Sequence, residues 1–182
     1  MTDDATPSTP DLPPADLLQV AQETEQHVAA GGWAQRERVF ALVPTADLVA
    51  AEPSLAEALS GAGRYSSIEQ ELPEGVDLAE YLGQLAWPRS VTGCALAVER
   101  LRAAPGAGGG GGVAGGAGVG PDSGFAGADQ EVEPVRLLVV ATRDGERFTL
   151  VRLAAHDSDD AVAVGPAVGT DLQEALAATL EG

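Results

Sequence analysis

The sequence contains neither lysine nor asparagine among its 182 residues. Without lysine there is no P-loop amine to hold a phosphate and no Schiff-base or other catalysis by an amine. The single cysteine, Cys94, excludes an internal disulfide and suits a reducing compartment. These absences remove several large classes of enzyme.

Long apolar runs are also missing. No stretch approaches the roughly 18 uninterrupted apolar residues of a membrane span, and the opening MTDDATPSTPDLPPAD lacks the apolar region of a signal peptide. We therefore expect a cytoplasmic protein that does not insert into a membrane.

Acidic residues far outnumber basic ones. The formal net charge is −18, from 28 Asp and Glu against 10 Lys and Arg. Such a surface repels phosphate backbones and anionic lipids. The predicted partners are another protein or a second copy of the chain, and not nucleic acid.

Composition divides the chain into three parts. Residues 1–14, rich in proline and aspartate, are typical of a disordered tail. Residues 15–182 are predicted to form one α+β domain. A glycine-rich stretch, residues 105–132, interrupts it and has the composition of a flexible insert.

The apolar patterns predict helices and strands in mixed order. A helical stripe begins at Ala15, and a leucine stripe predicts a final helix from Thr170. Val91–Leu101 alternates as a strand does, with Cys94, Leu96 and Val98 on one side. A hairpin follows, so the last three strands should form an antiparallel meander. We expect a two-layer α+β sandwich with the helices packed mainly on one face.

The hairpin runs through RLLVVATRDGERFTLVRLAAHD, residues 136–157. Asp144-Gly145 favours a two-residue type I′ turn, which pairs Val139 with Leu150. A three-residue loop would set Arg136 opposite Arg152, which like-charge repulsion disfavours. Acids lie near all four arginines of the run, so we interpret these arginines as paired surface charges and not as an anion site.

The segment HDSDD offers one candidate metal site. His156, Asp157, Asp159 and Asp160 are oxygen and nitrogen ligands of the kind that divalent cations take. The alternative is an acidic turn after a strand, since aspartate favours turns. The metal interpretation would make the protein a metal-dependent hydrolase.

The corner AWPRSVTG, residues 86–93, offers a second candidate. Trp87 and Arg89 are residue types enriched in protein-binding hot spots, although the same pair also suits a packed helix-to-strand corner. Gly106, Gly108 and Gly111 have dinucleotide-fingerprint spacing, but no helix follows them to hold a pyrophosphate, so no cofactor is predicted.

The segments AWPRSVTGCALAVERL and RDGERF…LVRLAAHD, followed by an acidic turn and a leucine-striped helix, resemble a family of small acidic actinobacterial proteins without assigned function. The resemblance covers roughly residues 15–180 and implies a cytosolic single-domain protein. No complete catalytic constellation is present. We therefore predict a non-enzymatic protein-binding or regulatory adaptor module, with the metal-dependent hydrolase as the alternative.

Overall fold

The computed structural model describes residues 12–103, 132–165 and 167–181. Within these ranges the chain forms four α-helices and six β-strands. The helices are α1 (Ala15–Ala29), α2 (Thr45–Ala51), α3 (Leu78–Gln84) and α4 (Thr170–Thr179). The strands are β1 (Arg38–Pro44), β2 (Tyr65–Gln70), β3 (Gly93–Ala103), β4 (Val132–Thr142), β5 (Arg147–Leu153) and β6 (Ala163–Val164).

The strands form one antiparallel sheet in the order β2-β1-β3-β4-β5-β6. The predicted α+β class and the meander β3-β4-β5 are confirmed. The two-residue strand β6 at one edge was not predicted, because its apolar run is too short to show a period.

Helices cover both faces of the sheet. Cys94, Leu96 and Val98 of β3 face a core that includes residues of α3 and α4. Ala95 and Ala97 face the opposite core, which is covered by α1. The predicted alternation is confirmed, whereas the two-layer arrangement is corrected to three layers. The reason is that β3 and β4 are apolar on both faces, and each face must be buried.

The β4–β5 turn corrects the predicted register. Thr142 N–H donates to Glu146 O at 3.0 Å, and Gly145 has a φ of 92° in the left-handed region. The loop therefore has three residues with glycine at its left-handed position. As a result, Arg136 lies opposite Arg152, which is the pairing that repulsion was expected to prevent.

The predicted tail falls mainly on residues 1–11 and the predicted insert mainly on residues 104–131, which lie outside the described residues. Val132, placed in the insert by composition, belongs to β4. Among the described helices, none has the length and apolar character needed to cross a bilayer.

Candidate functional site

Arg152 is a buried cation that pairs with one buried and two exposed carboxylates. Its side chain is 2% exposed, and so is that of Glu25 on α1. Arg152 Nε and Nη2 donate to the two oxygens of Glu25 at 2.7 and 2.6 Å. The same guanidinium also donates to Asp157 at 3.1 Å and to Asp159 at 2.7 Å. One cation therefore joins α1, β5 and the turn that follows β5.

Arg136 lies beside Arg152 on the same face of the sheet. Its side chain is 2% exposed, and Nη2 donates to Glu99 Oε1 at 2.9 Å and to the carbonyl of Gly32. Its guanidinium carbon lies 4.5 Å from the ring centroid of Trp33, a cation–π distance. Arg136 Nε is buried and has no hydrogen-bond partner among the residues that the structure describes.

The loop after α1 is held by the same charges. Trp33 Nε1 donates to Asp157 Oδ2 at 2.8 Å, and Ala34 N donates to Glu99 Oε2 at 2.8 Å. Ala34 has a φ of 63°, a conformation that alanine adopts only when its surroundings impose it. The Glu99 carboxylate supplies part of that constraint.

We call this set the arginine cluster: Glu25, Trp33, Glu99, Arg136, Arg152, Asp157 and Asp159. The hydrogen bond from Arg152 to Glu25 raises the pKa of that arginine above its ordinary value, with smaller contributions from Asp159 and Asp157. Each of the two guanidiniums donates hydrogen bonds to protein carboxylates. The cluster thus connects elements of the fold and pairs each of its two arginines with a carboxylate of the chain.

The predicted metal ligands belong partly to the arginine cluster. Asp157 and Asp159 contact Arg152, while His156 and Asp160 are exposed. Within residues 12–103, 132–165 and 167–181, no three His, Cys, Asp or Glu side chains are grouped so that they could hold a metal ion. The two aspartates bind the guanidinium of Arg152, whereas the metal hypothesis requires them to bind a metal ion.

The two predicted hot-spot residues are placed differently. Trp87 is only 6% exposed, and its Nε1 donates to Thr179 Oγ1 at 2.9 Å. Arg89 is exposed. Arg143 closes the corner by donating to Trp87 O and Val91 O, each at 2.9 Å. The corner therefore presents Arg89 to solvent, and Trp87 packs inside.

Cys94 is buried in the core beneath α4. Its Sγ lies 3.7 Å from Leu176 O and from Thr179 Oγ1. Burial raises the pKa of the thiol to about 11, so the thiolate needed for nucleophilic attack is absent near neutral pH.

An open groove of about 700 Å³ lies between α3 and α4. We call it the α3–α4 groove. Four leucines line it and are buried or half-buried: Leu78, Leu82, Leu85 and Leu172. Four small residues also line it and are exposed: Ala79, Gly83, Ala175 and Ala178. The groove therefore offers an apolar surface that the described chain leaves uncovered.

Three charged residues line the same groove. Asp77 caps α3, accepting hydrogen bonds from Ala79 N and Glu80 N at 2.9 and 3.2 Å, and Asp171 lies in the first turn of α4. Arg100 donates to Glu99 O at 3.1 Å but forms no ion pair with any residue that the structure describes. In the described part of the chain, the polar edge thus consists of two carboxylates and one guanidinium that forms no ion pair.

A protein-family model described as PPA1309-like protein matches residues 17–181. The chain belongs to the PPA1309-like family. The match covers the arginine cluster and the α3–α4 groove, and the family description names no activity, ligand or partner. No curated protein and no solved structure matches this PPA1309-like chain significantly.

Sequence reasoning predicted that the arginines pair with acids, wrongly placed Arg136 and Arg152 at the surface, and missed the α3–α4 groove. The arginine cluster depends on Glu25 and Glu99, which lie 127 and 37 residues from their arginines. The groove had a weak local signal, since small residues recur at positions 79 and 83 of α3 and at 175 and 178 of α4. These spacings place each pair on one face of its helix.

Proposed function

We propose that this PPA1309-like protein is a non-enzymatic protein-binding module that takes up a segment of its partner in the α3–α4 groove. A cytoplasmic location is part of the proposal and suits the lone thiol of Cys94. The observation that carries the proposal is the uncovered apolar surface between the two helices.

The groove has the composition of a binding site for a partner segment. Leu78, Leu85 and Leu172 are half-buried, so each keeps apolar surface that a partner would remove from water. Burial of such surface contributes about 25 cal/mol per Å² before the costs of association. The carboxylates of Asp77 and Asp171 would orient the segment.

Other surfaces support an enzyme less well. Both guanidiniums of the arginine cluster are occupied by carboxylates, and the raised pKa of Cys94 makes it a poor nucleophile. The described residues also contain no group of side chains suited to a metal ion. Arg89 is exposed and stays a predicted additional contact.

The experiment compares two substitutions in affinity capture from the native host. A Cβ added at Gly83, in the groove, or at Gly61, outside it, meets nothing within 4 Å. A side chain can therefore start at either position without a clash at its first atom, and thermal unfolding of Gly83→Trp and Gly61→Trp checks that both fold. Only Gly83 lines the groove. We expect Gly83→Trp to lose one specific partner that Gly61→Trp and the unmodified chain retain.

Purified partner then gives the affinity. We expect the dissociation constant for Gly83→Trp to exceed that for Gly61→Trp by at least about tenfold, as for a change at a binding hot spot. If every captured protein binds both variants equally, the groove is not the binding surface and the proposal is wrong.

A further inference from the structure

The walls of the α3–α4 groove decide which backbone conformation suits an occupant. They are two α-helices, whose central N–H and C=O groups are already paired within each helix. An extended peptide would find no row of free backbone groups to pair with, as it would at a sheet edge. An occupant that satisfies its own backbone hydrogen bonds avoids that cost, and an α-helix does so.

Small side chains allow a third helix to approach closely. Ala79 and Gly83 lie one turn apart on α3, and Ala175 and Ala178 one turn apart on α4. Helix axes pack at about 8–10 Å, and the shorter distances need small residues at the contact. Between these pairs, the leucines would contact an apolar stripe.

The charge around the groove indicates which residues should lie beside the apolar stripe of the occupant. Asp77 and Asp171 line the groove. Among the residues that the structure describes, Arg100 is the one basic residue that lines it. The two acids that line the groove outweigh this arginine, and the whole chain carries a net charge of −18. Basic side chains beside the apolar stripe would therefore be attracted.

We infer that the partner segment is a basic amphipathic helix, with a leucine- and alanine-rich stripe against the groove and Lys or Arg beside the acids of α3 and α4. This inference rests on the proposed function, since it specifies the segment that the groove would take. Such a helix would contact only two to three turns of α3 and α4, so the affinity for an isolated peptide is modest.

The test uses three designed peptides of about 18 residues, long enough to form a helix, titrated into the full chain and followed by NMR. The first carries Leu and Ala at helical spacing with Lys on its flanks. The second has the same composition with the apolar residues alternating as in a strand. The third replaces each Lys with Glu. We expect saturable binding of the first peptide, and at least about tenfold weaker binding of the other two.

Variants separate the groove from general attraction to an acidic protein. Gly83→Trp should weaken binding of the first peptide at least about tenfold, whereas Gly61→Trp should leave it unchanged. Asp171→Asn should weaken it less and reduce its salt dependence. The inference is overturned if the first peptide does not bind, if the alternating peptide binds as well, or if Gly83→Trp has no effect.

The two proposals fail in different ways. If a host partner depends on Gly83 but the helical peptide neither binds nor displaces it, the helix is wrong and the binding module stands. If no host partner depends on Gly83, the proposed function fails, whatever the peptides do.

Discussion

Arg136 and Arg152 lie directly opposite each other on β4 and β5, although both side chains are 98% buried. Two like charges in this position repel each other unless each has its own counter-charge. Glu99 supplies one, and Glu25 with two aspartates supplies the other. Carboxylates from distant parts of the chain, Glu25 and Glu99, therefore offset the repulsion that this hairpin register creates.

Arg152→Met tests how much the buried pair contributes to stability. Without Arg152, Glu25 remains buried with no counter-charge, and we expect the free energy of unfolding to fall by about 3–5 kcal/mol. Urea denaturation would measure the loss. Arg147→Met, at an exposed site on the same strand, is the matched control and should cost less than about 0.5 kcal/mol. A loss below about 1 kcal/mol, typical of an exposed ion pair, would contradict the prediction.

Trp33→Phe tests the contribution of Asp157 to acid stability. The hydrogen bond from Trp33, followed by that from Arg152, lowers the pKa of Asp157 in the folded state. A carboxyl group whose pKa is lower in the folded than in the unfolded chain stabilises the protein at pH values above its unfolded pKa of about 3.9. This stabilisation is lost as the pH falls through the pKa of the folded state. We expect Trp33→Phe to be less stable than the unmodified chain at pH 7, with the gap narrowing as the pH falls below about 4.

Urea midpoints measured from neutral to acidic pH would follow that gap. In an Asp157→Asn background, Trp33→Phe should leave the pH dependence unchanged, because the titrating carboxylate is gone. A gap that stays constant with pH in the original background would show that Trp33 acts through packing alone.

Cys94 should be protected from thiol reagents in the folded protein. Burial raises the pKa of its thiol to about 11. At pH 8 the reagent therefore cannot reach the sulfur, and little of the thiol is ionised to the reactive thiolate. We expect labelling of the native protein by a disulfide reagent to be limited by unfolding and complete in denaturant. Rapid labelling at a rate proportional to reagent concentration would show that the site opens locally.

Divalent metals should not stabilise the protein. Asp157 and Asp159 already contact Arg152, so a cation would have to displace a guanidinium. We expect Mn²⁺, Mg²⁺, Ca²⁺ and Zn²⁺ to leave the thermal midpoint unchanged, because only a ligand that prefers the native state raises it. A rise that disappears in Asp157→Ala with Asp160→Ala would revive the metal hypothesis.

Local patterns in the sequence predicted much of the fold. The alternation at Cys94, Leu96 and Val98 indicated β3 and its two faces, and the leucine stripe indicated α4. The hairpin register was predicted wrongly because only charges close in sequence were weighed. Glu25 and Glu99 lie on other elements, and no periodicity shows which distant acid will meet which arginine. The groove likewise depends on how α3 and α4 are placed, which their separate stripes do not determine.

The bond between Glu25 and Arg152 spans 127 positions of the chain. During synthesis α1 leaves the ribosome long before β5, so its glutamate has no counter-charge to be buried against. Docking of α1 with Glu25 paired therefore requires β5 to be made first. Until then the apolar face of α1 has no complete sheet to cover it.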